Sequence, residues 1–379
     1  MEIKSVRSIL LSCPIPENLR WKHPLGGTVS KRTCAIISVE TDEGVEGIGE
    51  ASGPPSVISA VVDKVFKPII VGEDPCRVES LWEKMYRFSQ YCGRRGVVIG
   101  AISGIEIALL DILGKSKRTP AYQFLGGLVR DKVRVYASAG MWKSPGEVAK
   151  EAAEYVNQGF TAIKIRAGLS PEEDVELVRA VRDAVGYGVD LMVDEGKSYS
   201  EPWTLKKVIR LAKEMERYEV YFLEEPLPPD DLDGYRKLCS SVDLPIATGE
   251  NEFTRYGFKE LLVNNAADII QPDVTHAGGL LECKKIAAMA SVWNVPVIPH
   301  CFSSSVSLAA TIHFSASTSN CPIVEYDCTF NPLMSNLTSR PITVEDGYIK
   351  VPDKPGLGIE LEDAFIKTYE YKGQDLWMI

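Results

Sequence analysis

Through the middle of the chain, short apolar runs alternate with longer stretches whose apolar residues recur at helical spacing. The runs are VRVYAS (133–138), TAIKIR (161–166), LMV (191–193), YFLE (221–224), IATG (246–249), IIQ (269–271), VIP (297–299) and IVE (323–325). Each reads as a strand bounded by polar or glycine-containing breaks. The stretch SPGEVAKEAAEYVNQG that follows the first run predicts a helix. Ser144 caps its N-terminus, Pro145 suits its first turn and Glu147 completes a capping box. Val148, Ala152 and Val156 fall on one face, and Gly159 supplies the stop. A second start of the same kind opens SPEEDVELVRAVRDAV, with Val175, Val178, Val181 and Val185 along the stripe. Eight strands joined by seven helical connections predict a parallel sheet closed into an α/β barrel.

The flanks have another rhythm. KSVRSILLS and TCAIISVETDEGVEGIGEA alternate as antiparallel strands, with a tight turn at Asp42-Glu43-Gly44. Helical patterns follow at 56–69, 76–90 and 97–117. The expected organisation is an α+β capping lobe over 1–128, the barrel over 129–329, and a tail over 330–379 that returns to the first lobe. The tail carries a hairpin pattern, ITVEDGYIKV.

Composition narrows the class. Hydrophobic content of 45% and charged content of 25% fit a soluble globular protein, and 379 residues exceed one ordinary core. A formal charge of −10 argues against nucleic acid as a partner and requires local cations to hold any anionic substrate. The nine cysteines form no CxxC pair, so a reducing cytoplasm is expected and structural disulfides are not. The start MEIKSVRS lacks the apolar core of a signal peptide, and no uninterrupted apolar run is long enough for a membrane span. A symmetric homo-oligomer is the general expectation for such a protein.

In a barrel of this type chemistry gathers at the C-terminal strand ends. Asp194, Glu224 and Glu250 stand at three consecutive ends, one βα repeat apart. Any one alone reads as a helix cap or a solvated acid. Three that converge need a cation, and hard oxygen donors select Mg²⁺. The adjacent Glu225 is read as a hydrogen-bonding neighbour of that ligand set and as a substrate contact. Lys164 and Arg166 share one face of the second strand. Lys164 is expected to hold a substrate carboxylate, and Arg166, permanently charged, to stabilise negative charge. Asp273 and His300, on adjacent strand ends, form a carboxylate–imidazole pair that leaves one ring nitrogen to take a proton. Glu325, if protonated, would donate to a developing oxyanion. His23, in the polar loop NLRWKHPLGG, is placed in a lid over the substrate. His276 is a weaker candidate near the mouth, and His313 reads as structural.

The ordered set KIR, VDEG, LEEP, GEN, QPD, IPH and VEYD, with GIEIALLDILGK and PGLGIEL on the flanks, resembles the enolase superfamily, mandelate racemase subgroup. The resemblance spans nearly the whole chain. It implies a (β/α)7β barrel with an α+β capping domain and Mg²⁺ on Asp194, Glu224 and Glu250. It also implies removal of a proton α to a carboxylate to form an enediolate. Two positions depart from the common pattern. The second strand is K-x-R where many members carry K-x-K, and Gly196 stands where Asn or His is common.

With Arg166 in place of a second lysine, and no lysine after strand six, one base remains. The expected reaction is dehydration of an aldonate-type acid sugar to a 2-keto-3-deoxy acid, with His300 as base. The leaving hydroxyl would take its proton from His300, Glu325 or a metal-bound water. Two alternatives stand beside it: a racemase or epimerase of a 2-hydroxy acid, and a non-catalytic protein that reuses the fold.

Overall fold

The computed structural model describes residues 1–22, 27–197 and 200–373. In the N-terminal lobe, β1 (Ile3–Pro14) pairs antiparallel with β4 (Lys31–Thr41), which pairs with β5 (Glu46–Ala51) through the turn at Gly44. Two short strands, β2 (Trp21–Lys22) and β3 (Thr28–Val29), pair with each other at the lobe's edge. Helices α1 (Pro55–Val61), α2 (Lys67–Ile70), α3 (Val78–Ser89) and α4 (Val97–Lys117) cover the sheet.

Helix α4 is long and apolar enough to cross a membrane, but its apolar residues are buried in the protein core. Its approach to the sheet depends on missing side chains. A Cβ on Gly104 would lie 2.6 Å from Ile37 Cγ1, so only glycine lets helix and strand meet there.

The barrel strands are β6 (Lys132–Ala139), β7 (Ala162–Arg166), β8 (Asp190–Asp194), β9 (Val220–Glu224), β10 (Ile246–Thr248), β11 (Ile269–Ile270) and β12 (Val324–Asp327). They run parallel in the order β11-β10-β9-β8-β7-β6-β12. The expected run at 297–299 forms only an isolated bridge, Val297 to Ile270. Pro296 and Pro299 flank it and have no amide hydrogen to extend a ladder.

The barrel is nevertheless filled all the way round. Tyr136, Ala162, Met192, Phe222, Ala247, Ile269, Ile298 and Ile323 form one interior cluster, with a residue from each of the eight strand positions. Helices α5 (Pro145–Asn157), α6 (Pro171–Val185), α7 (Leu205–Met215), α8 (Leu232–Cys239), α9 (Thr254–Val263), α10 (Leu280–Val292) and α11 (Ser305–Ala316) surround the strands. Both Ser-Pro starts cap as expected. Glu147 accepts from the Ser144 amide at 3.0 Å, and Ser170 accepts from the Glu173 amide at 3.3 Å.

The tail departs from expectation in one respect. Its strand β13 (Tyr348–Lys350) pairs antiparallel with β6 and so belongs to the outside of the barrel. Beyond α12 (Pro332–Ser335) and α13 (Asp363–Thr368), the chain reaches the first lobe, where the Tyr371 amide donates to Leu10 O at 2.9 Å.

Asp111 on α4 ties these parts together. Its buried carboxylate accepts from the Ile48 amide (2.9 Å) and the Leu357 amide (2.8 Å), and Lys115 lies 2.7 Å away. Asp111→Ala leaves two buried amides without acceptors, so we expect a loss of about 3 kcal/mol in urea unfolding. A change under about 0.5 kcal/mol would show that this junction carries no stability.

Candidate active site

The interior cluster also explains the position of the polar residues. On a strand, every second side chain faces the same way. Lys164 follows Ala162 by two, Asp194 follows Met192, Glu224 follows Phe222, His300 follows Ile298 and Glu325 follows Ile323. Each therefore projects inward one layer above the apolar core, at the C-terminal mouth. The register sets Arg166 beside Asp194 and Asp194 beside Glu224.

Ligand atoms of Asp194, Glu224 and Glu250 all lie within 4.8 Å of one another. Among the described residues this is the one such cluster of acidic, histidine or cysteine side chains found. Glu224 Oε1 is buried without a hydrogen-bond partner, whereas Asp194 Oδ2 is paired with Arg166 Nη1 at 2.5 Å. Burial pushes both carboxyls up from their ordinary range, and the neighbouring acids add to it while Lys164 and Arg166 oppose it. Convergent oxygen donors with unmet lone pairs suit a hard divalent cation. Asn251 braces the set, with its amide 3.0 Å from Glu225 and 3.3 Å from Glu250.

His300 Nδ1 lies 2.7 Å from Asp273 Oδ2. The other Asp273 oxygen accepts from the Thr275 amide and hydroxyl, both at 2.7 Å. An acceptor at Nδ1 makes that nitrogen the donor and leaves Nε2 as the working atom. Nε2 faces Glu250 at 3.5 Å and Glu325 at 3.9 Å. Burial alone would lower the imidazole pKa, but Glu250, Glu325 and Asp273 outweigh it and raise it to about 10. Positive charge at Glu250 would bring that value down toward the range in which imidazole exchanges protons near neutrality.

Three sequence expectations need correction. Lys164 is only 2% exposed; it donates to Glu224 at 2.7 Å and pairs with Glu325 at 2.9 Å and Asp194 at 3.5 Å. Its ammonium balances acids beneath the mouth, whereas Arg166 lines the cavity. Glu325 sits between cations rather than as an isolated acid. Burial would raise its pKa, but Lys164 and His300 hold it down at about 2, and its Oε2 accepts from the Cys301 amide at 2.9 Å. Glu225 is 1% exposed and sits behind Glu250, held through Asn251, so it is not a substrate contact. His23 lies outside the described residues. His276 packs on Phe253 at 4.1 Å, and burial pushes it down to about 4. His313 is fully buried with Nε2 3.1 Å from Leu357 O, a structural role.

The two departures from the common family pattern account for each other. Gly196 has φ +53°, and a Cβ there would come within 3.1 Å of Arg166 Nη1. The longer guanidinium occupies the space that a side chain at 196 would need.

A cavity of about 370 Å³ covers Arg166, Glu250, Asp273 and His300, and the N-terminal lobe closes it. That lobe contributes residues the sequence reading missed. Glu50 accepts from the Ser304 hydroxyl at 2.5 Å, from the Ser303 hydroxyl and from the Ser307 amide at 3.0 Å, and so fixes the segment just after His300. Arg32 pairs with Asp327 at 2.7 Å and lies over Phe302. Strand alternation in GIGEA and KRTC could not show which face meets the barrel, because both lobes are needed to define it. A larger cleft of about 1000 Å³ adjoins this cavity, but it contains none of the acid–histidine set.

Comparison with known proteins gives a consistent result. Residues 147–365 match the family model described as enolase C-terminal domain-like. Residues 16–126 match the N-terminal domain of mandelate racemase and muconate lactonizing enzyme. A protein named arabinonate dehydratase from Saccharolobus solfataricus is 36% identical over 340 residues, covering 88% of this chain and 90% of its own. A D-galactonate dehydratase from Ralstonia pickettii is 35% identical over 348 residues, covering 87% and 89%. The crystal structure of 3,6-anhydro-D-galactonate cycloisomerase from Zobellia galactanivorans superposes with a TM-score of 0.90 at 34% identity, covering 98% of this chain and 100% of that one.

If the acid triad holds a divalent cation, Mg²⁺ at 100 times its Kd should stabilise the folded chain by about 2.7 kcal/mol. Thermal or urea unfolding with and without Mg²⁺ reads this, and Glu224→Gln should abolish most of the gain. An equal gain in the variant would place the cation elsewhere.

Proposed function

The chain belongs to the mandelate racemase/muconate lactonizing enzyme family of the enolase superfamily, and from that membership we propose that it is a Mg²⁺-dependent acid-sugar dehydratase. The observation that carries this reading is that, among the described residues, one imidazole faces the acid triad, with an arginine where a second base would stand. The dehydratase names of relatives with about a third of their residues in common support the same class.

His300 Nε2 would take the proton from the carbon α to the substrate carboxylate. The electrons of that C–H bond form the C2–C3 double bond as the C3–O bond breaks. The departing hydroxyl accepts the proton from the imidazolium and leaves as water, and the enol then tautomerises to the 2-keto-3-deoxy acid. Asp273 holds Nδ1–H, which keeps Nε2 aimed and stabilises the charged ring. Arg166 offsets negative charge on the substrate carboxylate. Glu325, its pKa lowered by Lys164 and His300, is better placed to stabilise the imidazolium than to act as the acid. Bound by Asp194, Glu224 and Glu250, Mg²⁺ would supply the positive charge that makes the α-proton acidic.

Racemisation is the weaker reading. It needs a second base on the strand-two side, and Arg166 there is held protonated: burial works against its charge, but Asp194 and the other acids raise its pKa beyond the ordinary arginine value.

Incubation with Mg²⁺ and a panel of aldonates, aldarates and sugar lactones should yield keto acid from at least one aldonate, read with semicarbazide. His300→Asn should lower kcat by about 10³-fold while Mg²⁺ binding persists. Racemisation of a 2-hydroxy acid, with no keto acid formed from any sugar, would overturn the proposal.

A further inference from the structure

Trp142 stands where the chain leaves β6, and its backbone has φ +40°. A bulky side chain in the left-handed region is an outlier that its surroundings must enforce, and such strain concentrates where position matters. The enforcement is visible. The indole Nε1 donates to Ala167 O at 3.2 Å, one residue beyond Arg166, and the ring lies 5.7 Å from the Arg166 guanidinium carbon.

The placement has a geometric consequence. The catalytic cavity of about 370 Å³ and the outer cleft of about 1000 Å³ share three lining residues, Trp21, Met141 and Trp142. Of these, Trp142 is the one also fastened to the loop beside Arg166. Beyond it the outer cleft presents groups suited to a sugar: the ring of Phe330 and the side chains of Lys22, Lys143 and Glu147. Aromatic faces and hydrogen-bonding charges are the usual furniture of such a surface, and the space exceeds what a single short-chain acid fills.

We infer that Trp142 is a specificity-determining partition: it confines the reaction to single, unsubstituted acid sugars by separating them from a cleft large enough for a second sugar ring. The inference rests on the dehydratase reading above. The excluded class is the aldobionic acids, aldonates that carry a glycosyl group on a distal oxygen. Their acid end presents the same carboxylate and the same α and β carbons to His300, so only the wall distinguishes them from the free acid. Glycine at 142 adopts the positive φ without strain, so Trp142→Gly removes the ring and relieves the backbone together.

The test compares kcat/KM for the aldonate that the wild type dehydrates best with that for its 4-O-glycosylated form. The assay uses the full chain with Mg²⁺, in wild type, Trp142→Gly, Trp142→Ala and Trp142→Phe. The wild type should prefer the free acid by about 100-fold or more, and the Gly and Ala variants should narrow that ratio by at least about tenfold. The Phe variant, which keeps most of the wall, should stay near the wild-type ratio and guards against misfolding of the smaller variants. A ratio unchanged in folded, Mg²⁺-binding Gly and Ala variants would overturn the inference and leave the dehydratase reading intact. A wild type that accepts both acids equally would overturn it too. Failure of the wild type to dehydrate any sugar acid would instead remove the dehydratase reading, and this inference with it.

Discussion

Charge balance inside a buried barrel mouth is the constraint on which the rest of this structure depends. Asp194, Glu224, Glu250, Asp273 and Glu325 converge there, none more than lightly exposed. Against these five carboxylates stand two permanent cations, Lys164 and Arg166, and one imidazole. Even with the imidazole protonated, these acids outnumber these cations, and a divalent cation would offset the excess. Uncompensated charge in such a site is costly, and a group left so will neutralise or recruit a partner. The unpartnered Oε1 of Glu224 marks where a partner fits.

That constraint divides the labour among the cations. Lys164 is sunk beneath the mouth and tied to three acids, so it sets the field without meeting the substrate. Arg166 reaches the cavity, and its guanidinium packs close to Gly196. The same cations lower the pKa of Glu325, which agrees with His300 as the proposed base. The N-terminal lobe completes the site: Glu50 fixes the loop after His300, and Trp21 forms a wall beside Trp142 of the barrel.

Much of this could be read in the sequence, for a physical reason. Strand-to-helix alternation is strongly periodic, and Ser-Pro-x-Glu starts carry their own capping chemistry, so the barrel and helices α5 and α6 were legible. The convergence of the three acids and the His300–Asp273 pair were legible because strand ends in a barrel point to one place. What could not be read needed the third dimension. The shortened strand at 297–299 reflects prolines acting on a ladder whose partner the sequence does not name. Lys164 and Glu325 were assigned to the substrate because their mutual ion pair spans 161 positions. Glu50 and Arg32 escaped because their roles arise where the two lobes meet, and Trp142 because its contacts join two separate barrel loops; no local pattern records either meeting.

The most direct test of the charge-balance account is a crystal of this chain grown with Mn²⁺, a divalent substitute whose anomalous scattering locates it without ambiguity. The account predicts one anomalous peak bounded by Asp194, Glu224 and Glu250, with His300 Nε2 facing the same cavity. No peak there, or a peak held by other residues while the triad stays paired with Lys164 and Arg166, would contradict it.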